Sequence, residues 1–501
     1  MIITPLGHTE FLVDIENNEK RNVRIMVDAW LSDYAIGDLM ERTVKVRLNP
    51  EKLKTLDAIY ISHAHCDHLD PYTLREIYEH ANPTLILPFT MRYLEGLFHE
   101  YLPDAQVIWL ENKKSFHLHG IEITGYMWSN PVITNEDDVM MLAISNDREL
   151  VFAEIDTVPD MEDEEVQKSL YKVFTRRDYE TTCYLASRNC LEGQIPYYDV
   201  KPEKRKAYRD NYIAGQKEEI AFQYERFEYE EFTHHPNLFS LSGFVRGFIG
   251  QGIAYPRKMS EELFGLALFP LDEFVSIEND YAKNAGYNFP QKALIPGRQY
   301  RVENGGIEVG RKEFSLGVLE KTLVSEQKEF KERQYASAPL ISQDFSLEDL
   351  MKRKRQILEI LNTRFLPYWS ASSVASLRES LLRNQGFYRI RFFVSDSSVV
   401  FEYSTARSGF CEVPFAQNMN IDEEYWLIDI LDFLDGKLEM YSSFWHNLDP
   451  KKIYRLWTCL GANFCNNDLV EKKYRYHFER ARNGDTAIGF VEGILSTIPH
   501  S

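Results

Sequence analysis

The run His63-Ala64-His65-Cys66-Asp67-His68 places four metal-ligand side chains within six residues. It follows directly on the apolar stretch Ala58-Ile59-Tyr60-Ile61. In extended backbone, residues two apart point to the same side, so His63 and His65 converge on one point. Asp67 and His68, past the turn, face a second point a few ångströms away. Imidazole and carboxylate suit Zn, Fe or Mn, and two metals sharing a bridging group is the usual use of such a cluster. The plain alternative, polar residues on a loop, fits poorly with four ligand-type residues packed directly behind a buried strand. Cys66 reads as a small spacer thiol rather than a ligand.

The elements that must position this cluster read as short strands alternating with amphipathic stretches. Residues 2–4, 10–13, 23–27, 58–62, 84–87 and 107–110 are strand-like, as are 120–126, 140–144 and 150–152. Residues 71–78 have helical spacing with Pro71 at the first turn, and residues 93–98 are helix-like. This order predicts a sheet-rich α/β layer structure. Residues 201–206 and 225–231 are charge runs, read as solvated helix faces or loops, and residues 321–334 are helical in pattern. Residues 336–339, Ala-Ser-Ala-Pro, mark the domain boundary, giving an N-terminal domain over 1–335, with a long helical extension after about 200, and an α+β domain over 340–501. In the second domain, Ser346-Leu347-Glu348-Asp349 has capping-box-like spacing before a helix through Leu361. Residues 389–394 and 399–403 predict a hairpin, and residues 425–434 an apolar helix. There is no internal repeat or low-complexity tract.

Length and composition bound the rest. A chain of 501 residues predicts two or three domains, and its 44% hydrophobic content is ample for packed cores. A formal net charge of -20 repels polyanions, so nucleic acid is not an expected partner, although one anionic substrate in a local basic pocket is compatible with it. Six dispersed cysteines, a start without signal-peptide character and no apolar run of membrane-spanning length predict a reduced, cytoplasmic protein.

The pattern His-x-His-x-Asp-His after a core strand resembles the metallo-β-lactamase superfamily. Leu6-Gly7-His8-Thr9 is similar to its early Gly-His hairpin, and Met26-Val27-Asp28-Ala29-Trp30-Leu31 to its strand ending in Asp. Phe152-Ala153-Glu154-Ile155-Asp156-Thr157 is similar to the strand that delivers a bridging carboxylate, which would be Asp156. The resemblance implies an αββα sandwich holding one or two metal ions, with His63, His65, Asp67, His68 and Asp156 as ligands and Asp67 and Asp156 as the carboxylates of the chemistry. His8 is read as structural, and His117 and His119 as surface residues on an alternating strand.

Within the superfamily, Met26 to Leu31 and the text from Asp57 to Leu69 followed by Tyr72-Thr73-Leu74 resemble the CMP-N-acetylneuraminate hydroxylase-like branch. The resemblance spans roughly residues 1–160 and returns faintly at residues 425–432. That branch joins a Rieske centre to the metallo-β-lactamase fold and hydroxylates an N-acyl group with O₂ and an external electron donor. Here the Cys-x-His and Cys-x-x-His pair of a Rieske centre is missing; the one Cys-x-His is Cys66-Asp67-His68 itself. The branch's third histidine falls at or near Asn135, leaving Asn135 or Glu136 as oxygen ligands, and its last histidine has no partner in residues 241–248; His234 and His235 are further candidates. The implied function is an iron oxygenase acting on an amine, amide or sugar-nucleotide-like small molecule, with an external electron-donor protein. The runner-up is a zinc hydrolase of an ester, lactone or phosphodiester; a third reading is a binding protein on a partly decayed site. Asp435-Gly436-Lys437-Leu438 resembles sterol-carrier-like domains, but a packing or dimerisation role, and hence a homo-oligomer, is the plainer expectation for the C-terminal part.

Overall fold

The structure, a computed structural model, describes residues 1–37, 41–42, 44–128, 139–157, 159, 163–187, 236–250, 253–254, 271–321, 346–372, 381–382, 386–394, 397–438, 456, 459, 467–487 and 489. The chain divides into two compact units, the first drawn from Met1–Ala35, Met40–Val132 and Glu136–Glu329 and the second chiefly from Phe330–Ser501.

The strands of the first unit are β1 (Ile2–Pro5), β2 (Phe11–Glu16), β3 (Asn22–Val27), β4 (Glu41–Arg42), β5 (Val44–Leu48), β6 (Ala58–Tyr60), β7 (Thr84–Pro88), β8 (Val107–Leu110), β9 (Ser115–Leu118), β10 (Ile121–Tyr126), β11 (Met141–Ser145), β12 (Glu149–Ala153), β13 (Thr181–Ser187), β14 (Phe244–Ile249), β15 (Ile253–Ala254), β16 (Gln291–Ala293), β17 (Tyr300–Glu303), β18 (Gly306–Val309) and β19 (Gly317–Lys321). One sheet runs β18-β17-β1-β2-β3-β6-β7-β8 and the other β16-β14-β13-β12-β11-β10-β9. Alternation along each strand gives each sheet two faces. Val13, Ile25, Tyr60 and Ile86 of the first sheet share one core with Ile123, Leu142, Val151 and Leu185 of the second, so the sheets pack face to face. The alternate residues Leu12, Met26, Ile59 and Leu85 are fully buried as well, so the first sheet is covered on both sides. On the outer face of the second sheet, Phe152 and Tyr184 pack with Leu170, Val173 and Phe174 of the helix Glu164–Thr175 and with Phe274 and Val275 of the helix Leu271–Asn284. This is the α/β sandwich that the alternation predicts.

The helix Pro71–Tyr78 begins where its residues dictate. Asp70 caps it by accepting from the Tyr72 amide at 2.9 Å, Pro71 sits in the first turn, and Leu74 and Ile77 form the buried stripe. The expected helical extension after about 200 falls largely outside the described residues. Residues 201–235 and 255–270 are among those left out, and among the described residues that follow 235 the helices are Pro236–Phe239 and Leu271–Asn284. Among the described residues, β14 and β16 extend the second sheet and β17 and β18 the first. Tyr300 and Val302 are buried between exposed Arg301 and Glu303, a period of two that only a strand satisfies. Residues 322–334, the remainder of the charged segment expected to be helical, also lie outside the described residues, while Lys321 ends a strand.

In the second unit, Ser346 accepts from the Asp349 amide at 3.1 Å and caps the helix Leu347–Ile360. Strands β20 (Phe387–Val394) and β21 (Ser397–Ser404) form the expected hairpin, flanked by β22 (Cys411–Val413) and, parallel to β20, β23 (Glu423–Trp426). The helix predicted from Tyr425 therefore starts two residues later, at Leu427: Tyr425 and Trp426 pair with Phe392 and Phe393 before the chain turns into the helix. All eight residues of Leu427–Leu434 are buried. No described helix is long and apolar enough to cross a membrane.

Glu423, the first residue of β23, is fully buried and accepts from the Tyr388 and Tyr425 hydroxyls and, at 3.0 Å, from the Leu456 amide. Burial outweighs these donors and pushes its carboxyl up to about 7, from an ordinary value of 4.5. The folded chain thus retains a proton that the unfolded chain has already released. This contribution is full below about pH 4.5 and is lost as pH rises to about 7, a fall of about 3 kcal/mol. Glu423→Gln should flatten this slope. Denaturant titrations of both proteins across that window check it, and an unchanged slope in the variant refutes it.

Candidate metal centre

The cluster sits where β6 leaves the first sheet. Ile61, Ser62, His63 and His68 are fully buried, while His65 and Asp67 are partly exposed. The loop is folded back on itself by His68 and Leu69 amides donating to the His65 carbonyl at 3.1 and 3.0 Å, and it is tied to β3 by the Ala29 amide donating to the His68 carbonyl at 2.9 Å.

Asp28, just past β3, organises the ligands. Its Oδ1 accepts from the Ser62 amide at 2.8 Å and its Oδ2 from the Ser62 hydroxyl at 3.0 Å, while His68 Nδ1 lies 2.7 Å from Oδ2. His63 Nδ1 is 2.9 Å from the same Ser62 hydroxyl. With Nδ1 of each ring engaged, Nε2 of His63 and of His68 is turned to the interior of the cluster, the orientation a carboxylate or hydroxyl imposes on a metal-binding imidazole. Asp28 has φ +54°, a left-handed conformation in which Asp is tolerated better than most residues.

The second sheet contributes Asp156, just past β12. Ile155 before it is fully buried and has φ +52°, a costly conformation for a β-branched residue. Glu154 on its other side is anchored to Tyr184 Oη at 2.5 Å and the Ser187 amide at 3.2 Å. This anchoring holds the turn that brings Asp156 Oδ2 to 3.9 Å from His63 Nε2 and 3.7 Å from His68 Nε2.

Two sets of ligand atoms result, each gathered within 4.8 Å: His63, His65 and Asp156, and His8, His68 and Asp156. Asp156 belongs to both. Asp67 Oδ2 lies 3.2 Å from His8 Nε2 and 3.9 Å from His68 Nε2, beside the second set. Thus His63, His65, Asp67, His68 and Asp156 lie together, whereas Asn135, Glu136, His234 and His235 lie outside the described residues. His8, read from sequence as structural, lies inside the cluster, delivered by the turn between β1 and β2. His117 lies on β9, and His119 follows it in a turn with φ +49°. Cys66 is buried and enters neither set.

The electrostatics fit a cation. Burial by itself would raise the Asp67 and Asp156 carboxyls, yet both are held below the ordinary carboxylate range, Asp67 by His68, His8 and His65 and Asp156 chiefly by His68. Burial would lower His68, but Asp28, Asp67 and Asp156 hold it well above its ordinary value. Protonated imidazole is therefore supplying the positive charge that these carboxylates demand. His68 Nε2, moreover, is buried without a hydrogen-bond partner. Nitrogen and carboxylate oxygen donors of this kind suit Zn, Fe or Mn.

Residues 23–170 match the family model of the beta-lactamase superfamily domain. Among curated proteins, a Mycolicibacterium smegmatis protein provisionally named a Rieske 2Fe-2S iron-sulfur protein is 31% identical over 88 residues, covering 18% of this chain and 16% of that protein. The match therefore spans only a small part of the relative's length. Among solved structures, CmlA, a diiron beta-hydroxylase from Streptomyces venezuelae, aligns at TM-score 0.34 and 11% identity over 58% of this chain and 53% of its own. A possible metal-dependent hydrolase from Veillonella parvula aligns at TM-score 0.34 and 14% identity over 60% of this chain and 98% of its own.

Asp28→Asn keeps the shape of the organising residue and removes its charge. Metal affinity should fall by about 10–100-fold, the usual effect of losing such a partner, with the fold retained. Isothermal titration with Zn(II) measures this; wild-type affinity in the variant contradicts the role given to Asp28.

Proposed function

We propose that the chain is a metal-dependent oxygenase that hydroxylates an amine, amide or sugar-nucleotide-like small molecule. The observation that carries this reading is the sharing of Asp156 between two imidazole sets, the arrangement of a paired-metal centre. Iron bound there would supply the activation of dioxygen. The preference for iron, and for oxygenation, comes from the resemblance to the hydroxylase-like branch and from the partial match to the M. smegmatis protein. In the overall reaction one atom of O₂ enters a substrate C–H or N–H bond and the other leaves as water, taking up two protons and two electrons from an external donor protein.

The chain's own residues set the conditions. Ser62 and Asp28 hold His63 and His68 with Nε2 directed into the cluster, and the buried wall of the cluster excludes bulk water from one side. Asp67 and Asp156, 17% and 28% exposed, form the open side by which a small substrate enters and can hold or pass a proton there. A cytoplasmic setting and self-association through the C-terminal unit complete the proposal.

A second reading has its own support: the donor set is imidazole and carboxylate throughout, which zinc accepts as readily as iron. Zinc there would favour hydrolysis of an ester, lactone or phosphodiester. Loading the protein separately with Fe(II) and Zn(II) decides between them. Donor-dependent O₂ consumption by the iron form with hydroxylated product supports oxygenation; esterase or phosphodiesterase activity of the zinc form without it overturns oxygenation in favour of hydrolysis. Neither activity, with metal bound, favours a binding protein.

Replacing His63 and His65 together with Ala should remove most bound metal while the chain remains folded, because the ligands lie on a loop beyond an already packed sheet. Elemental analysis beside circular dichroism checks this, and unchanged metal content rules out the cluster as the centre.

A further inference from the structure

We infer that His8, on the N-terminal hairpin turn, is a ligand of the second metal position, acting with His68, Asp156 and Asp67. This rests on the metal-centre reading and adds to it a residue that the consecutive motif does not contain.

His8 is 1% exposed, and neither ring nitrogen makes a well-aligned hydrogen bond, Nε2 having only the Asp67 carboxylate at 3.2 Å. Leaving a buried polar group unsatisfied costs about 1–3 kcal/mol, so a purely structural imidazole would be a poor choice here. The neighbouring Nε2 of His68 is buried and unpartnered in the same way. Donors that lie side by side without partners and face two carboxylates describe a cation site.

The distances agree. Ligands about 2.0–2.1 Å from a tetrahedral metal stand about 3.4 Å apart. His8 Nε2 is 3.2 Å from Asp67 Oδ2, and His68 Nε2 is 3.7 Å from Asp156 Oδ2 and 3.9 Å from Asp67 Oδ2. The first of these is short enough for a hydrogen bond yet off its line, as expected where two donors converge on a third body.

The turn is built to hold His8 in place. The Arg42 guanidinium, fully buried, donates to the Leu6 carbonyl at 2.7 Å, to Glu10 Oε2 at 2.8 Å and to the Trp30 carbonyl. Gly7 leaves the space this requires: a Cβ there would meet Arg42 Nη2 at 2.3 Å. The His8 ring packs edge-on against Trp30 and His68, with centroids 6.1 and 5.7 Å away. A buried ion pair flanks His8 on the sequence and fixes the backbone on both sides of it.

The test compares wild type, His8→Ala, His8→Gln and the His63→Ala/His65→Ala double variant, each equilibrated with Zn(II) and freed of excess. Stoichiometry is read by elemental analysis, affinity by titration calorimetry and folding by circular dichroism. We expect two equivalents in wild type, loss of one in His8→Ala, and at least about tenfold weaker binding of that equivalent in His8→Gln. The double variant should lose the other. If His8→Ala does not fold, His8→Gln decides, since it preserves bulk and polarity. Wild-type stoichiometry and affinity in folded His8 variants overturn the assignment while leaving the metal centre standing. A single wild-type equivalent, lost in the double variant but indifferent to His8, overturns it as well. No metal bound by wild type removes the centre and the assignment together.

Discussion

The Asp28 carboxylate is the contact on which the rest of the cluster depends. It stands at the end of β3, receives both the amide and the hydroxyl of Ser62, and meets His68 Nδ1. One side chain thereby joins the exits of two adjacent strands and sets two imidazoles, one directly and one through Ser62. The Asp28 amide itself donates to the Tyr60 carbonyl at 2.7 Å, so backbone and side chain bind the same neighbouring strand. A fully buried carboxylate is tolerable only with several donors of this kind.

The centre also requires the two sheets to agree. His63, His65, Asp67 and His68 come from the first sheet and Asp156 from the second, and the interleaved core between β6 and β12 sets their separation. A packed core resists displacement, so the ligands inherit its rigidity although they sit on loops. Two of the chain's left-handed non-glycine residues stand at the same edge. Asp28 and Ile155 both adopt left-handed conformations, and each immediately precedes or supplies a residue of the centre. The core on either side holds them there: Ile155 packs within it, and Glu154 is pinned to the neighbouring strand.

Much of this was legible in the residues because the signals were local. Four ligand-type residues in six behind an apolar strand need no tertiary information, and Pro71 announces a helix start that the structure reproduces at that residue. The alternating strands of residues 1–153 were legible for the same reason. Residues 291–309 were missed because their strands are short and polar on one side, and their place was decided by partners far away: β17 pairs with β1, and β16 with β14. Tyr425 and Trp426 fit an apolar helix by composition and are strand because β20 offers them a parallel partner. His8 was the opposite case. Its Gly-His turn suggests a tight hairpin, and only the distances across the fold distinguish a turn residue from a ligand.

That difference follows from how the pocket distributes its charge. Four imidazoles and the carboxylates of Asp28, Asp67 and Asp156 share a region that is largely closed to water. Without a cation, His68 carries the proton that lets the neighbouring carboxylates stay ionised, as the raised His68 and the lowered Asp67 and Asp156 show. A metal replaces that proton with charge held at one place, and its ligands then need not satisfy one another. Nearby, Arg42 and Glu10 form a second buried pair, in which burial raises the Glu10 carboxyl against the opposing pull of Arg42 and, more weakly, of His8 and His68. The fold thus keeps its structural charge pair and its metal-demanding charges in adjacent compartments, joined by the short turn that carries His8.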